Sequence, residues 1–279
     1  MSRNCGYKMA NSINVRNEYQ RKAIGLLESL VGKFTMWQIW QDFITMAAIA
    51  INNTTPHEQR YAREKAYLAC VSQYTAKDLS IFSEVLSFVI EGLNDNPEQD
   101  FLGELFMGLN LGSDRHGQFF TPYDIGKLMA KINADSLMKE KVKRESWINV
   151  VDPACGAGAL LVAYANAMKI NGINYQQSVL FVGQDIDQLA GKMCYIQLSL
   201  LGCAGYVVIQ DTLSNPVICQ DDKYLLPKDN GNIWYTPMYY TDIWTGRKLM
   251  ASCRAAKLGR GVMICREELT AAIHILKLL

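Results

Sequence analysis

The 279-residue chain has no excess of charge of either sign: 28 basic against 27 acidic residues give a formal net charge of +1. A protein that grips a polyanion through its whole surface carries a basic surplus, so any such contact here must come from a local patch or a partner subunit. Histidine is scarce: the three, His57, His116 and His274, are far apart in sequence and suggest no metal site. The eight cysteines form no CxxC pair and no Cys/His zinc spacing. With no secretory signal to read, they are expected to be reduced thiols of a cytoplasmic protein. No apolar run reaches bilayer length: the longest, Trp37 to Ile51, is interrupted by Gln38, Gln41 and Asp42, and no membrane association is expected. Internal repeats and low-complexity tracts are absent as well.

What is present is enough apolar residue, 49%, for a sizeable core, and two differently patterned halves. Up to about residue 110 the spacing predicts helices only: Glu18 to Gly32, Met36 to Ile51 behind a Thr35 N-cap, His57 to Val71 after Pro56, Leu79 to Leu93 behind Thr75, and Asp100 to Leu109. Pro122 to Ile132 reads as a further helix lying across the next feature. From Trp147 to Gln210, strand-like and helical runs alternate, which implies a parallel sheet with crossover helices. The expected organisation is a helical N-terminal domain over 1–110 and an α/β domain over 111–279. The region 214–230 reads as an irregular loop, and Gly261 to Cys265 as one more strand.

The chemistry concentrates at strand ends. Trp147 to Val151 runs into Asp152-Pro153-Ala154-Cys155-Gly156-Ala157-Gly158 and then an apolar helix. A glycine turn of this kind lets a ligand approach bare backbone beside a helix N-terminus. Asp152 repels phosphate, so the ligand carries a positive group there, as the methionine ammonium of S-adenosylmethionine does. A second run, Val179 to Gly183, leads to Asp185 and Asp187, either of which is placed to accept from ribose hydroxyls. A third, Gly205 to Gln210, ends at Asp211, placed to accept from an adenine amino group. Three acids at three strand ends suit an adenosine nucleoside without phosphates. The dinucleotide rival is disfavoured because Leu161 stands where its glycine fingerprint wants a small residue. Cys155 has no identifiable base beside it and is not read as a nucleophile.

Together with the upstream segment Gly117-Gln118-Phe119-Phe120-Thr121-Pro122, the Asp152–Gly158 turn resembles the adenine-specific DNA methyltransferases. The likeness is strongest to the modification subunits of type I restriction systems and their phage and mobile-element relatives, and covers about residues 100–215. It implies a Rossmann-like S-adenosylmethionine-dependent methyltransferase fold with an all-helical N-terminal domain. By the same resemblance Phe119, Thr121, Asp152, Ala154, Gly156 and Gly158 hold the methionine end of the cofactor, Asp185 (with Asp187 as fallback) the ribose, and Asp211 the adenine. The implied reaction is methyl transfer to the exocyclic amine of a flipped adenine in double-stranded DNA, without a metal.

One family element is missing. No Asn-Pro-Pro-aromatic segment occurs, and Asn215-Pro216 follows Asp211 too closely to leave room for a helix and a fourth strand. Thr236-Pro237-Met238-Tyr239 is the best positional substitute: Tyr239 as a base-stacking ring, Thr236 as a hydroxyl acceptor. The competing reading makes Tyr235, Tyr239, Tyr240 and Trp244 ordinary packing around a Pro turn. Two functions therefore stand side by side: a DNA adenine N6-methyltransferase, or a cofactor-binding but catalytically silent regulatory or assembly subunit. The residues left after the third strand are few for a complete methyltransferase sheet, so either the sheet is short or another chain completes it, a partner subunit or a second copy. Arg247, Lys248, Arg254, Lys257, Arg260 and Arg266 form a basic cluster able to touch phosphates, or a solvated helical face.

Overall fold

The computed structural model describes residues 17–112, 120–134 and 136–257. Five helices come first: α1 (Glu18–Glu28), α2 (Met36–Asn52), α3 (Arg60–Val71), α4 (Ala76–Asp95) and α5 (Phe101–Gly108). Their starts follow the capping rules. Asn17, Thr35, Thr75 and Asp100 each accept a backbone N–H of the first turn, and Thr75 with Asp78 closes a reciprocal capping box. α3 departs from expectation. It begins at Arg60 rather than at His57, because a turn takes up the residues after Pro56, and its N-cap, Gln59, makes no side-chain capping bond. α6 (Tyr123–Asn133) lies where expected, whereas α7 (Ser136–Glu145) is a charged helix with no apolar stripe to announce it.

Three parallel strands follow, β1 (Ile148–Asp152), β2 (Val179–Asp185) and β3 (Ala204–Ile209), linked by α8 (Ala159–Ile170), a single turn α9 (Tyr175–Ser178) and α10 (Gln188–Leu200). β4 (Ile233–Tyr235) pairs antiparallel with β3, giving the order β1-β2-β3-β4. A 3₁₀ turn over Pro237–Tyr240 and α11 (Asp242–Lys257) complete the described chain. The expected α/β fold with a helical N-terminal part is what the chain adopts. The Gly261–Cys265 strand lies outside the described residues.

Alternation along β2 sorts the core. Val179 and Phe181 face the cluster built from the N-terminal helices, α8 and α10, while Leu180 and Val182 face a second cluster with Tyr206, Val208, Tyr239 and Trp244. At β2 and β3 both faces are covered, which is why these strands read as nearly unbroken apolar runs, whereas edge strand β1 leaves Val151 exposed. The first cluster runs from Ala23 to Trp234, so the helical segment and the sheet share one core across residue 110. At β3, Gly205 is obligatory: its φ is +154° and a Cβ there would lie 1.8 Å from the Phe181 carbonyl oxygen. No described helix is long and apolar enough to cross a membrane.

Candidate cofactor site

Parallel strands end on one edge, and the turn after β1 sits there. Gly156 and Gly158 both take left-handed backbone, φ +53° and +99°, which side chains with a Cβ adopt only at a cost. Space forbids a side chain as well. A Cβ on Gly156 would stand 2.9 Å from the Phe120 ring, and one on Gly158 2.9 Å from the Cys194 sulfur. Gly158 then opens α8. The turn is pinned to β2: the Gly156 N–H donates to Asp185 Oδ2 at 2.8 Å and the Cys155 N–H to the Gln184 carbonyl at 3.0 Å. Asp152 Oδ1 in turn accepts the Ala154 N–H at 3.1 Å.

Over this turn lies a cavity of about 330 Å³ lined by, among others, Asp100, Phe120, Thr121, Asp152, Gly156 and Asp185. Among the described residues its walls carry three aspartates and no lysine, arginine or histidine, so these walls repel a phosphate and attract a cationic ligand. Burial pushes the Asp152 carboxyl up, and the Asp185 charge pushes it further, against the Ala154 N–H that favours ionisation. Asp100 is fully buried and burial pushes its carboxyl up to about 6, although Gln197 and the Gly103 N–H both bond to it. A ligand carrying positive charge restores what burial removed. The Cys155 thiol, beside Cys194 and buried, is driven well above its ordinary value and stays protonated, in keeping with its not acting as a nucleophile.

The family profile for N-6 DNA methylase matches residues 104–254, more than half of the chain. The chain belongs to the N-6 DNA methylase family. Among curated proteins it is similar to the methylase subunit of the type I restriction enzyme MpnII from Mycoplasma pneumoniae, at 27% identity over 172 residues, which are 58% of this chain and 29% of that one. The methylase subunit of the type I enzyme MjaIX from Methanocaldococcus jannaschii matches at 28% over 39% of this chain and 16% of its own length. The type II methyltransferase M.BanIII from Aneurinibacillus aneurinilyticus matches at 31% over 31% of this chain and 14% of its own. The chain thus spans less than a third of the curated relatives it matches.

As a member of this family the chain brings five of its expected cofactor residues to one cavity: Thr121, Asp152, Ala154, Gly156 and Asp185. Gly158 shapes the turn from behind. The acid that ends β2, Asp185, and Asp187 two residues on divide their work. Asp187 Oδ1 caps α10, accepting the Leu189 and Ala190 N–H groups at 2.8 and 2.7 Å, and of the two acids only Asp185 lines the cavity. Asp211 is outside the cavity walls, folded into its own turn by the Leu213 N–H and the Ser214 hydroxyl, both at 2.9 Å. The next residue ties that turn to the site, since the Thr212 hydroxyl donates to the Pro153 carbonyl at 2.6 Å. Phe119 lies outside the described residues. Its neighbour Phe120 packs beside Gly156 and against Phe106, the two rings' centroids 5.3 Å apart.

Thr236, Pro237 and Tyr239 do not join this cavity. They follow β4, on the opposite side of the sheet order from β1. The Thr236 hydroxyl accepts the Gly205 N–H at 3.0 Å and donates to the Cys203 carbonyl at 2.7 Å. Tyr239 is 5% exposed, its hydroxyl donates to the Leu225 carbonyl at 2.6 Å, and its ring stacks on Tyr235 at 5.0 Å. Arg247, from the basic cluster, lies over the Trp244 ring at 4.5 Å and bonds the Gln177 carbonyl.

Two residues of the site were missed in sequence. Asp100 reads there only as the start of α5. Gln197 sits in the buried face of α10, where its Nε2 donates to Asp100 Oδ1 at 2.7 Å and to the Ala157 carbonyl at 2.8 Å, while its Oε1 accepts the Leu102 N–H at 3.2 Å. The signal available was a glutamine at a helical position whose neighbours one turn away, Met193 and Cys194, are core residues.

Proposed function

We propose that this chain binds S-adenosylmethionine in the 330 Å³ cavity and serves the methylation of adenine in DNA. The observation that carries the reading is the sign of the cavity: three carboxylates and a glycine turn, with no cation among its described lining residues. That setting favours a cationic nucleoside over a phosphorylated one. Asp152, Thr121, Ala154 and Gly156 are assigned to the methionine end, with Gly158 setting the turn. Asp185 is assigned to the ribose hydroxyls, and the Asp211 turn, held by Thr212, to the adenine. The bound cofactor supplies an activated methyl group; the chain supplies orientation, water exclusion and negative charge. Double-stranded DNA is the proposed substrate, delivered with the help of a partner subunit or a second copy of the chain, since the overall charge of +1 offers no general attraction to phosphates.

A second reading, a cofactor-binding subunit that is silent on its own, is favoured by the placement of Thr236 and Tyr239, whose hydroxyls are consumed by backbone carbonyls of the fold. Calorimetric titration with S-adenosylmethionine, wild type against Asp152→Ala, tests the cofactor site. Saturable binding lost in the variant supports it, and no binding by folded wild type sinks it. Transfer of labelled methyl to an adenine-containing duplex then separates the readings: activity of the isolated chain supports the enzyme, and cofactor binding without transfer supports the silent subunit.

A further inference from the structure

A second cavity, of about 240 Å³, opens between α2, α3, the first turns of α10 and the β3–β4 edge, and its walls include Arg63 and Lys192. Arg63 is 8% exposed. Its guanidinium lies 3.8 Å over the Trp234 ring and donates to Asn52 Oδ1 at 2.6 Å and to the Ile233 carbonyl at 2.8 Å. Lys192 donates from Nζ to the Thr45 hydroxyl at 3.2 Å. Every one of these acceptors is neutral. Among the described residues neither cation forms an ion pair with a carboxylate. The carboxylates that act on them do so at longer range, Asp229 on Arg63 and Asp187 on Lys192, and Asp187 is already committed to capping α10.

Two cations walled into one cavity without an anion are costly, because each loses hydration and repels the other. Burial and then the Arg63 charge lower the Lys192 ammonium accordingly. Arg63 is fixed by aromatic stacking and two hydrogen bonds, so part of its fork stays pre-oriented, and the lysine ammonium has donors beyond the one given to Thr45. Gln59 and Gly231, packed against each other, lie in the same wall. We propose that this cavity binds a phosphate-class oxyanion between Arg63 and Lys192. The anion would complete a charge balance that the chain leaves open, in a cavity whose sign is opposite to that of the glycine-turn site. The shared chemistry is a tetrahedral oxyanion, free or carried by a nucleic acid.

The test uses the full chain in chloride-matched buffer, titrated with inorganic phosphate by calorimetry and thermal unfolding. Wild type is expected to bind saturably and to melt higher with phosphate. Lys192→Gln is expected to lose about tenfold or more in phosphate affinity, and to melt higher than wild type in the absence of phosphate, because one of two repelling charges is gone. Lys192→Arg, which retains the charge, should retain binding. No saturable response by folded wild type, or an equal response in Lys192→Gln, overturns the proposal. Addition of a short duplex at matched salt then assigns the source: displacement of bound phosphate identifies nucleic-acid phosphates as the ligand, and undisturbed phosphate binding identifies a free anion.

Discussion

Replacing Asp100 by asparagine should make the protein more stable at neutral pH, and the sign follows from where the carboxylate sits. Asp100 is 3% exposed, caps α5 through the Gly103 N–H at 3.0 Å and receives the Gln197 amide at 2.7 Å. Burial outweighs both bonds and lifts its carboxyl to about 6, from about 3.9 in an unfolded chain. The folded protein therefore holds this proton more tightly than the unfolded chain does. Stability contributed by the proton is present below about pH 4, falls as pH rises, and is gone above about pH 6. A separation of about two pH units, at about 1.4 kcal/mol each, makes the loss at neutral pH roughly 3 kcal/mol. Asparagine has the same shape, is a good N-cap and cannot ionise. Urea unfolding of both proteins, followed by circular dichroism from pH 4 to 8, should show the variant gaining on wild type across that window by up to about 3 kcal/mol. Any constant offset reports the new amide's own hydrogen bonding, and the slope is the diagnostic. Parallel pH profiles for the two proteins would refute the reasoning.

The same electrostatics predicts that affinity for S-adenosylmethionine rises between pH 5 and pH 7, roughly in step with deprotonation of Asp100 near 6; calorimetry at fixed ionic strength measures it, and affinity that falls over this range counts against a cationic ligand in the cavity. Gly158→Ala combines a φ of +99° with a Cβ 2.9 Å from the Cys194 sulfur, and should cost about 2–3 kcal/mol in unfolding free energy. Tyr239→Phe removes the hydroxyl that bonds the Leu225 carbonyl at 2.6 Å, and should cost about 1–1.5 kcal/mol of stability while leaving cofactor affinity unchanged; a loss of affinity without a loss of stability would restore Tyr239 to the site.

Sequence conveyed the parallel strands because strands covered on both faces are short apolar runs, and it conveyed the glycine turn because only glycine satisfies both its φ and its crowding. It did not distinguish Asp185 from Asp187. Asp185 ends β2 and Asp187 stands two residues on, and only the three-dimensional start of α10 shows that Asp187 caps it while Asp185 lines the cavity. The run Gly231 to Tyr235 reads as strand-like in sequence and β4 forms within it, but its antiparallel pairing with β3, beside which the Thr236 hydroxyl bridges to Gly205 across 31 positions of chain, is not legible there. The residues Thr236 and Tyr239 sit at a plausible distance along the chain from Asp211, yet spacing along a chain does not say on which edge of a sheet a strand will add. Arg63 was hidden for a different reason: in the charged stretch Arg60–Lys65 it looks like part of a solvated face, and only burial against Trp234 sets it apart.

The three bonds made by the Gln197 side chain have a consequence for how the molecule can be divided. One amide holds the N-cap of α5, the Leu102 N–H and the carbonyl of Ala157 inside the glycine turn. The turn thus borrows its rigidity from helices that precede it by some fifty residues. A cut near residue 110, which sequence pattern suggests as a boundary, would leave a buried amide without two of its partners and loosen the loop meant to hold a ligand. The helical segment behaves as a brace for the cofactor cavity. A ligand or partner that shifts α5 would be felt as a change in cofactor affinity, with no residue of the cavity itself altered.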